Sequence, residues 1–104
     1  MIIGGFITPI PGLPERTQQK LMGLFDSAPR FQEIWLYGSR AMGRERPGSD
    51  VDLCLTGEML GHGDLLHMMV TVDDLLLPWK VDLALRHQLP DDLLGHINRL
   101  GRCI

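Results

Sequence analysis

Two aspartates set one residue apart inside an apolar run restrict this chain more than any other feature. In Asp50-Val51-Asp52-Leu53-Cys54-Leu55-Thr56 the acids alternate with Val51, Leu53 and Leu55, which is the period of a strand with one face in a core. Residues i and i+2 of a strand share a face with about 6.5–7 Å between their Cα atoms, so Asp50 and Asp52 project together. Two carboxylates held so close resist simultaneous ionisation unless a cation joins them. The triplet returns at Val81-Asp82-Leu83, again with apolar flanks. If the two strands are neighbours, about 4.8 Å apart, Asp82 joins the first two acids in one cluster. Oxygen ligands of this kind suit a hard divalent cation, Mg²⁺ above all. Two such ions about 3.5–4 Å apart can clamp the attacking and leaving oxygens of a phosphoryl displacement. A lone Asp-x-Asp more often turns a loop or faces solvent; the third strand aspartate and an upstream Gly-Ser weigh against that here.

The 104 residues suffice for one small domain over 1–104, with 1–13 as an irregular lead-in. Pro14 opens a helix through residue 25, with Leu21, Leu24 and Phe25 as its apolar stripe. Residues 31–38 read as a strand rich in aromatic and branched side chains, 50–56 as a second and 79–85 as a third. Between the last two, residues 64–77 read as a helix with Asp64 as N-cap, although Val70-Thr71-Val72 favours extended structure. A closing helix starts at Pro90-Asp91-Asp92 and stops at Gly101. The order is α-β-β-α-β-α, a small α+β domain.

Hydrophobic residues at 44%, charged residues at 22% and a net charge of −3 describe an ordinary globular chain whose overall field does not favour nucleic acid. Arg40, Arg44 and Arg46 nonetheless cluster in one loop. Cys54 and Cys103 have no metal spacing and no disulfide framework, and suit a reducing cytoplasm. No apolar stretch reaches the about 18–20 residues of a membrane span, and no secretion signal is evident. The four histidines read as exposed or packing residues, since metal sites need convergent ligands. Trp35 and Trp79 read as packing residues, Trp79 lying near Asp82. Arg99 and Arg102 read as partners of the last helix's C-terminus.

Gly38-Ser39 ends the first strand and is expected to open a short helix. Glycine lets a phosphate approach the backbone, and the amides at a helix start attract anions. Ser39 adds a hydroxyl, and Arg40 brings a guanidinium suited to the same phosphate.

Together the stretch Gly38-Ser39-Arg40-Ala41-Met42-Gly43-Arg44-Glu45-Arg46-Pro47-Gly48-Ser49-Asp50-Val51-Asp52-Leu53 resembles the "GSRARG…ARPxSDxDL" pattern of the minimal nucleotidyltransferases, within the DNA polymerase beta-like nucleotidyltransferase superfamily. The likeness runs on through Asp82 to the closing His96-Ile97-Asn98-Arg99-Leu100-Gly101. Met42 stands where the pattern commonly has a second arginine, which bears on nucleotide affinity more than on chemistry. The resemblance implies a polymerase beta palm-like fold, a short mixed sheet with helices packed on it. It assigns Asp50, Asp52 and Asp82 to catalysis and to a two-ion Mg²⁺ site, and Gly38, Ser39, Arg40 and Arg46 to the nucleoside triphosphate, with ATP as substrate.

By the same resemblance the chain is expected to be the cytoplasmic antitoxin of a HEPN-domain toxin, in a hetero-oligomer with it. It would transfer AMP to a tyrosine of that ribonuclease toxin, with no direct DNA binding and no membrane role. The alternatives are an antitoxin that neutralises by contact alone and, less favoured, a small-molecule nucleotidyltransferase.

Overall fold

The computed structural model describes residues 10–27, 32–57 and 59–104. The described residues form helices α1 (Glu15–Ser27), α2 (His62–Asp74) and α3 (Asp91–Leu100), strands β1 (Glu33–Tyr37), β2 (Val51–Thr56), β3 (Val81–Leu85) and β4 (Arg102–Cys103), and one 3-10 turn at Arg86–Gln88. The sheet is mixed, with order β3-β2-β1-β4. β1 runs antiparallel to β2 and to β4, whereas β2 and β3 are parallel. A parallel pair needs a long crossover, and α2 supplies it. This is the open α+β architecture expected from the element pattern.

Alternation decides which face is buried. Ile34 and Leu36 on β1, Val51, Leu53 and Leu55 on β2, and Leu83 and Leu85 on β3 all point into one core. Leu21, Leu24 and Phe25 of α1 and Leu65, Met68 and Val72 of α2 fill it from the helical side. Val70-Thr71-Val72 stays helical despite its branched residues, because Val72 is buried in this core and tertiary packing overrides a weak propensity. The opposite face carries Trp35, whose ring lies under the Arg86 guanidinium at 6.0 Å. Arg86 also donates to Asn98 of α3, which ties α3 to that side.

Local expectations and structure part in four places. Asp64 is the third residue of α2 rather than its N-cap; Gly61 is the cap, and Asp64 Oδ2 accepts the Gly61 N–H at 2.9 Å. That is the returning half of a capping box. Gly38-Ser39 opens a run of turns, not a helix: Met42 N–H donates to Gly38 O at 3.2 Å and Arg44 N–H to Ser39 O at 2.8 Å, and the chain then continues irregularly to Asp50. The third strand begins at Val81, leaving Trp79 and Lys80 ahead of it. Arg102 does not serve the end of α3; it enters β4 opposite Leu36, a pairing of residues far apart in sequence that no local pattern announces.

Of the lead-in, residues 1–9 lie outside the described residues. Ile10 and Leu13 are buried, and Gln18 of α1 holds them: its Oε1 accepts Ile10 N–H at 2.9 Å and its Nε2 donates to Leu13 O at 3.1 Å. No helix among the described residues is long and apolar enough to cross a membrane.

Candidate active site

The site forms where β1 ends, β2 begins and β3 runs alongside. Register places Tyr37 of β1 opposite Asp52 of β2, and Asp52 opposite Asp82 of β3. Directly paired residues point to the same face of a sheet, so these three side chains stand in a row away from the core. Val51 and Leu53 on either side of Asp52 are completely buried. They fix the strand's rotation, so a one-residue slip would bury the acid.

The Asp52 and Asp82 carboxyls face each other across the parallel pair of strands. Burial first, then the charge and hydrogen bond of Asp82, and then the charge of Asp50 raise the Asp52 pKa from 3.8 to about 6, against a lowering influence from Lys80. Lys80 Nζ stands 3.6 Å from Asp82 Oδ1. Beside them the half-buried Tyr37 phenol is pushed up to about 12 by burial and by the negative charge of Asp52, Cys54 and Asp82, so it stays protonated.

The acids therefore meet as a pair with a third nearby, rather than as the close trio expected. Asp50 precedes β2, is exposed, and reaches Asp52 through charge. Among the described residues no group of three or more His, Cys, Asp or Glu converges to hold a metal ion. Like charges with no cation between them separate where the backbone allows, and Asp50 sits where it allows. The donor set is still all oxygen. Two facing carboxyls, one of them pushed toward its protonated form, are also groups that would take up a hard cation in place of a proton. The residues present fit Mg²⁺.

Gly38 closes the site at the end of β1. Its φ is +75°, a left-handed conformation that side chains disfavour, and a Cβ built there would strike Asp52 Oδ2. Glycine is required twice over: for the turn and for the room beside the carboxylate. Ser39 follows, half-buried in the turn.

The arginines behave differently from each other. Arg40 is 2% exposed; its Nη1 donates to Pro11 O at 2.6 Å and its Nη2 to Ser49 O at 2.8 Å. The guanidinium expected on a triphosphate instead straps the lead-in to the residue before Asp50. Arg46 remains exposed, with its backbone N–H donating to Ser49 Oγ at 2.7 Å. Its side chain borders a cavity shared with Arg40, Glu45 and Trp79. Two residues of the site escaped the sequence reading, Tyr37 and Lys80. Both belong to it through cross-strand register, which the alternation of β1 hints at without fixing the partner.

A family model described as "Polymerase beta, Nucleotidyltransferase" matches residues 19–104. Among solved structures, a toxin–antitoxin complex with AMP-PNP is similar at a TM-score of 0.68 and 22% identity, over 81% of this chain and 68% of that one. A tyrosine-to-alanine variant of the toxin–antitoxin MntA–HpeT gives 0.67 and 25%, over 88% and 72%. A tri-AMPylated Shewanella oneidensis HEPN toxin in complex with MNT antitoxin gives 0.63 and 20%, over 86% and 69%. No curated protein sequence matches significantly.

Proposed function

This chain belongs to the polymerase beta nucleotidyltransferase family, and from that premise we propose that it transfers AMP from ATP to a tyrosine hydroxyl of a HEPN-domain toxin, as the antitoxin of the pair. The observation that carries the reading is the direct register of Asp52 with Asp82 beside the left-handed Gly38 turn: two facing carboxyls next to a glycine that packs against one of them. The similar complexes with AMP-PNP and with a tri-AMPylated HEPN toxin support the nucleotide and the acceptor class.

In this reading Asp50 and Asp52, with Asp82, hold Mg²⁺. When bound, the ion supplies the positive charge that offsets the triphosphate oxygens and the acids themselves. The Gly38-Ser39 turn holds the outer phosphates through backbone amides and the Ser39 hydroxyl. Asp82 orients the attacking hydroxyl and takes its proton as the new O–P bond forms and the bond to pyrophosphate breaks. Arg40 acts at one remove, holding the chain before Asp50 in place, and Arg46, exposed like Arg44, is a cation able to meet phosphate. Cytoplasmic residence and a hetero-oligomer with the toxin belong to the same proposal.

The test is incubation with α-labelled ATP, Mg²⁺ and a HEPN-domain toxin, for the wild-type chain and for Asp50→Ala/Asp52→Ala. Label should appear on the toxin with the wild type alone. Toxin inhibition that survives the double substitution, with no label on the toxin in either case, defeats the enzymatic reading and leaves neutralisation by contact.

A further inference from the structure

Helix α2 carries large apolar residues on its exposed side as well as on its buried one. Leu65, Met68 and Val72 enter the core, while Leu66, Met69 and Val70, at i, i+3 and i+4, lie 49%, 41% and 59% exposed. The stripe continues past the helix to Leu76, which is 87% exposed and has φ +53°. Leucine is disfavoured there, since its Cβ crowds the following carbonyl, whereas asparagine or glycine would fit. A large apolar side chain held into solvent on strained backbone contributes nothing to folding of the chain alone. Such outliers point toward function.

Met69 and Leu76 also line a cavity of about 460 Å³ with Trp79, Lys80 and Asp82. The stripe is thus continuous with the carboxyl proposed to meet the acceptor. Its charged lining is net acidic: Asp73 and Asp82 outnumber Lys80, Asp74 follows Asp73, and α2 contains no lysine or arginine. An acidic rim opposes anionic lipid and nucleic acid and complements a basic protein segment.

We propose that this stripe and cavity form the acceptor-docking surface. The occupant is a partner-protein segment with a tyrosine among apolar residues and basic residues flanking them. The phenol's apolar body suits the Met69, Leu76 and Trp79 walls, and its hydroxyl suits the Asp82 end. The proposal rests on the nucleotidyl-transfer reading, and it adds where and by what chemistry the acceptor is recognised.

The experiment is an NMR titration of the full chain with the blocked peptide Arg-Leu-Tyr-Leu-Arg, alongside separate measurement of AMP-PNP binding with Mg²⁺. Saturable shifts are expected at Met69, Leu76 and the Trp79 indole. Leu76→Asn and Met69→Gln should each weaken the peptide by at least about fivefold, a truncation effect ordinary for an apolar anchor. Both should leave AMP-PNP affinity unchanged, and Leu76→Asn should not lower the melting temperature. Shifts confined to another surface, or peptide affinity indifferent to both substitutions, overturn the docking surface. So does a dimer of this chain, seen by light scattering and abolished by Leu76→Asn. AMP-PNP binding without peptide binding removes the docking surface alone. Peptide binding without AMP-PNP binding sustains the surface and removes the nucleotidyl-transfer reading.

Discussion

Replacing Arg40 tests whether the guanidinium is a strap or a phosphate ligand. Its two hydrogen bonds, at 2.6 and 2.8 Å, join Pro11 and Ser49, residues 29 and 9 positions away. Each is charge-assisted, and such a bond contributes about 1.5–3 kcal/mol. Arg40→Met keeps the apolar stem but leaves both carbonyls unpaired. Against that loss stands relief from burying a charge whose Nε has no hydrogen-bond partner. The balance should be a loss of about 2–4 kcal/mol, or about 10–25 °C in melting temperature for a domain near this size. Arg40→Lys can satisfy one carbonyl at most, and should lose about half as much. Thermal melts and urea titrations followed by circular dichroism measure both variants, and AMP-PNP affinity is measured at a temperature where each is folded. The reasoning is refuted if Arg40→Met melts within 3 °C or so of the wild type while AMP-PNP affinity collapses, for then the guanidinium serves the nucleotide and not the fold.

Gly38→Ala should lower stability by about 1–2 kcal/mol from the left-handed backbone alone, and displace Asp52; equilibrium unfolding and Mn²⁺ titration should both register it, and unchanged Mn²⁺ affinity would count against the crowding at Asp52 Oδ2. Because the Asp52 pKa is raised from 3.8 to about 6, the folded chain binds that proton more tightly than the unfolded chain does, so its stabilising contribution is full below the lower value and is lost as pH rises through the upper one. In EDTA, Asp52→Asn should therefore gain in melting temperature over the wild type on going from pH 4 to pH 7, and Mg²⁺ should narrow that gain; a difference flat across this range would show that burial and the neighbouring acids do not raise the Asp52 pKa. Asp64→Ala removes the acceptor of the Gly61 N–H and should cost about 1 kcal/mol, read from urea unfolding, with no effect on divalent-cation affinity.

By itself the sequence determined most of the elements and which strands carry the acids. Strict alternation around Asp52 specified a half-buried strand, and the repeat of Val-Asp-Leu located its acidic partner. The stripe Leu21, Leu24 and Phe25 marked the inner face of α1, and all three are buried. Gly38 could be recognised as a point of close backbone approach because no other residue tolerates that conformation freely. These readings succeed because they depend on short-range periodicity and on single-residue stereochemistry.

Tertiary structure alone decided the rest. That β2 and β3 run parallel in a register that sets Asp52 against Asp82 depends on the α2 crossover, and no local signal encodes it. The pairing of β1 with Arg102 and Cys103 joins residues too distant for any periodicity to connect. Arg40 shows the limit most clearly: from sequence a guanidinium after Gly-Ser reads as a phosphate ligand, yet its neighbours in space are two carbonyls that take both of its arms. A side chain's type sets what it can bind, while the packing around it decides what it does bind.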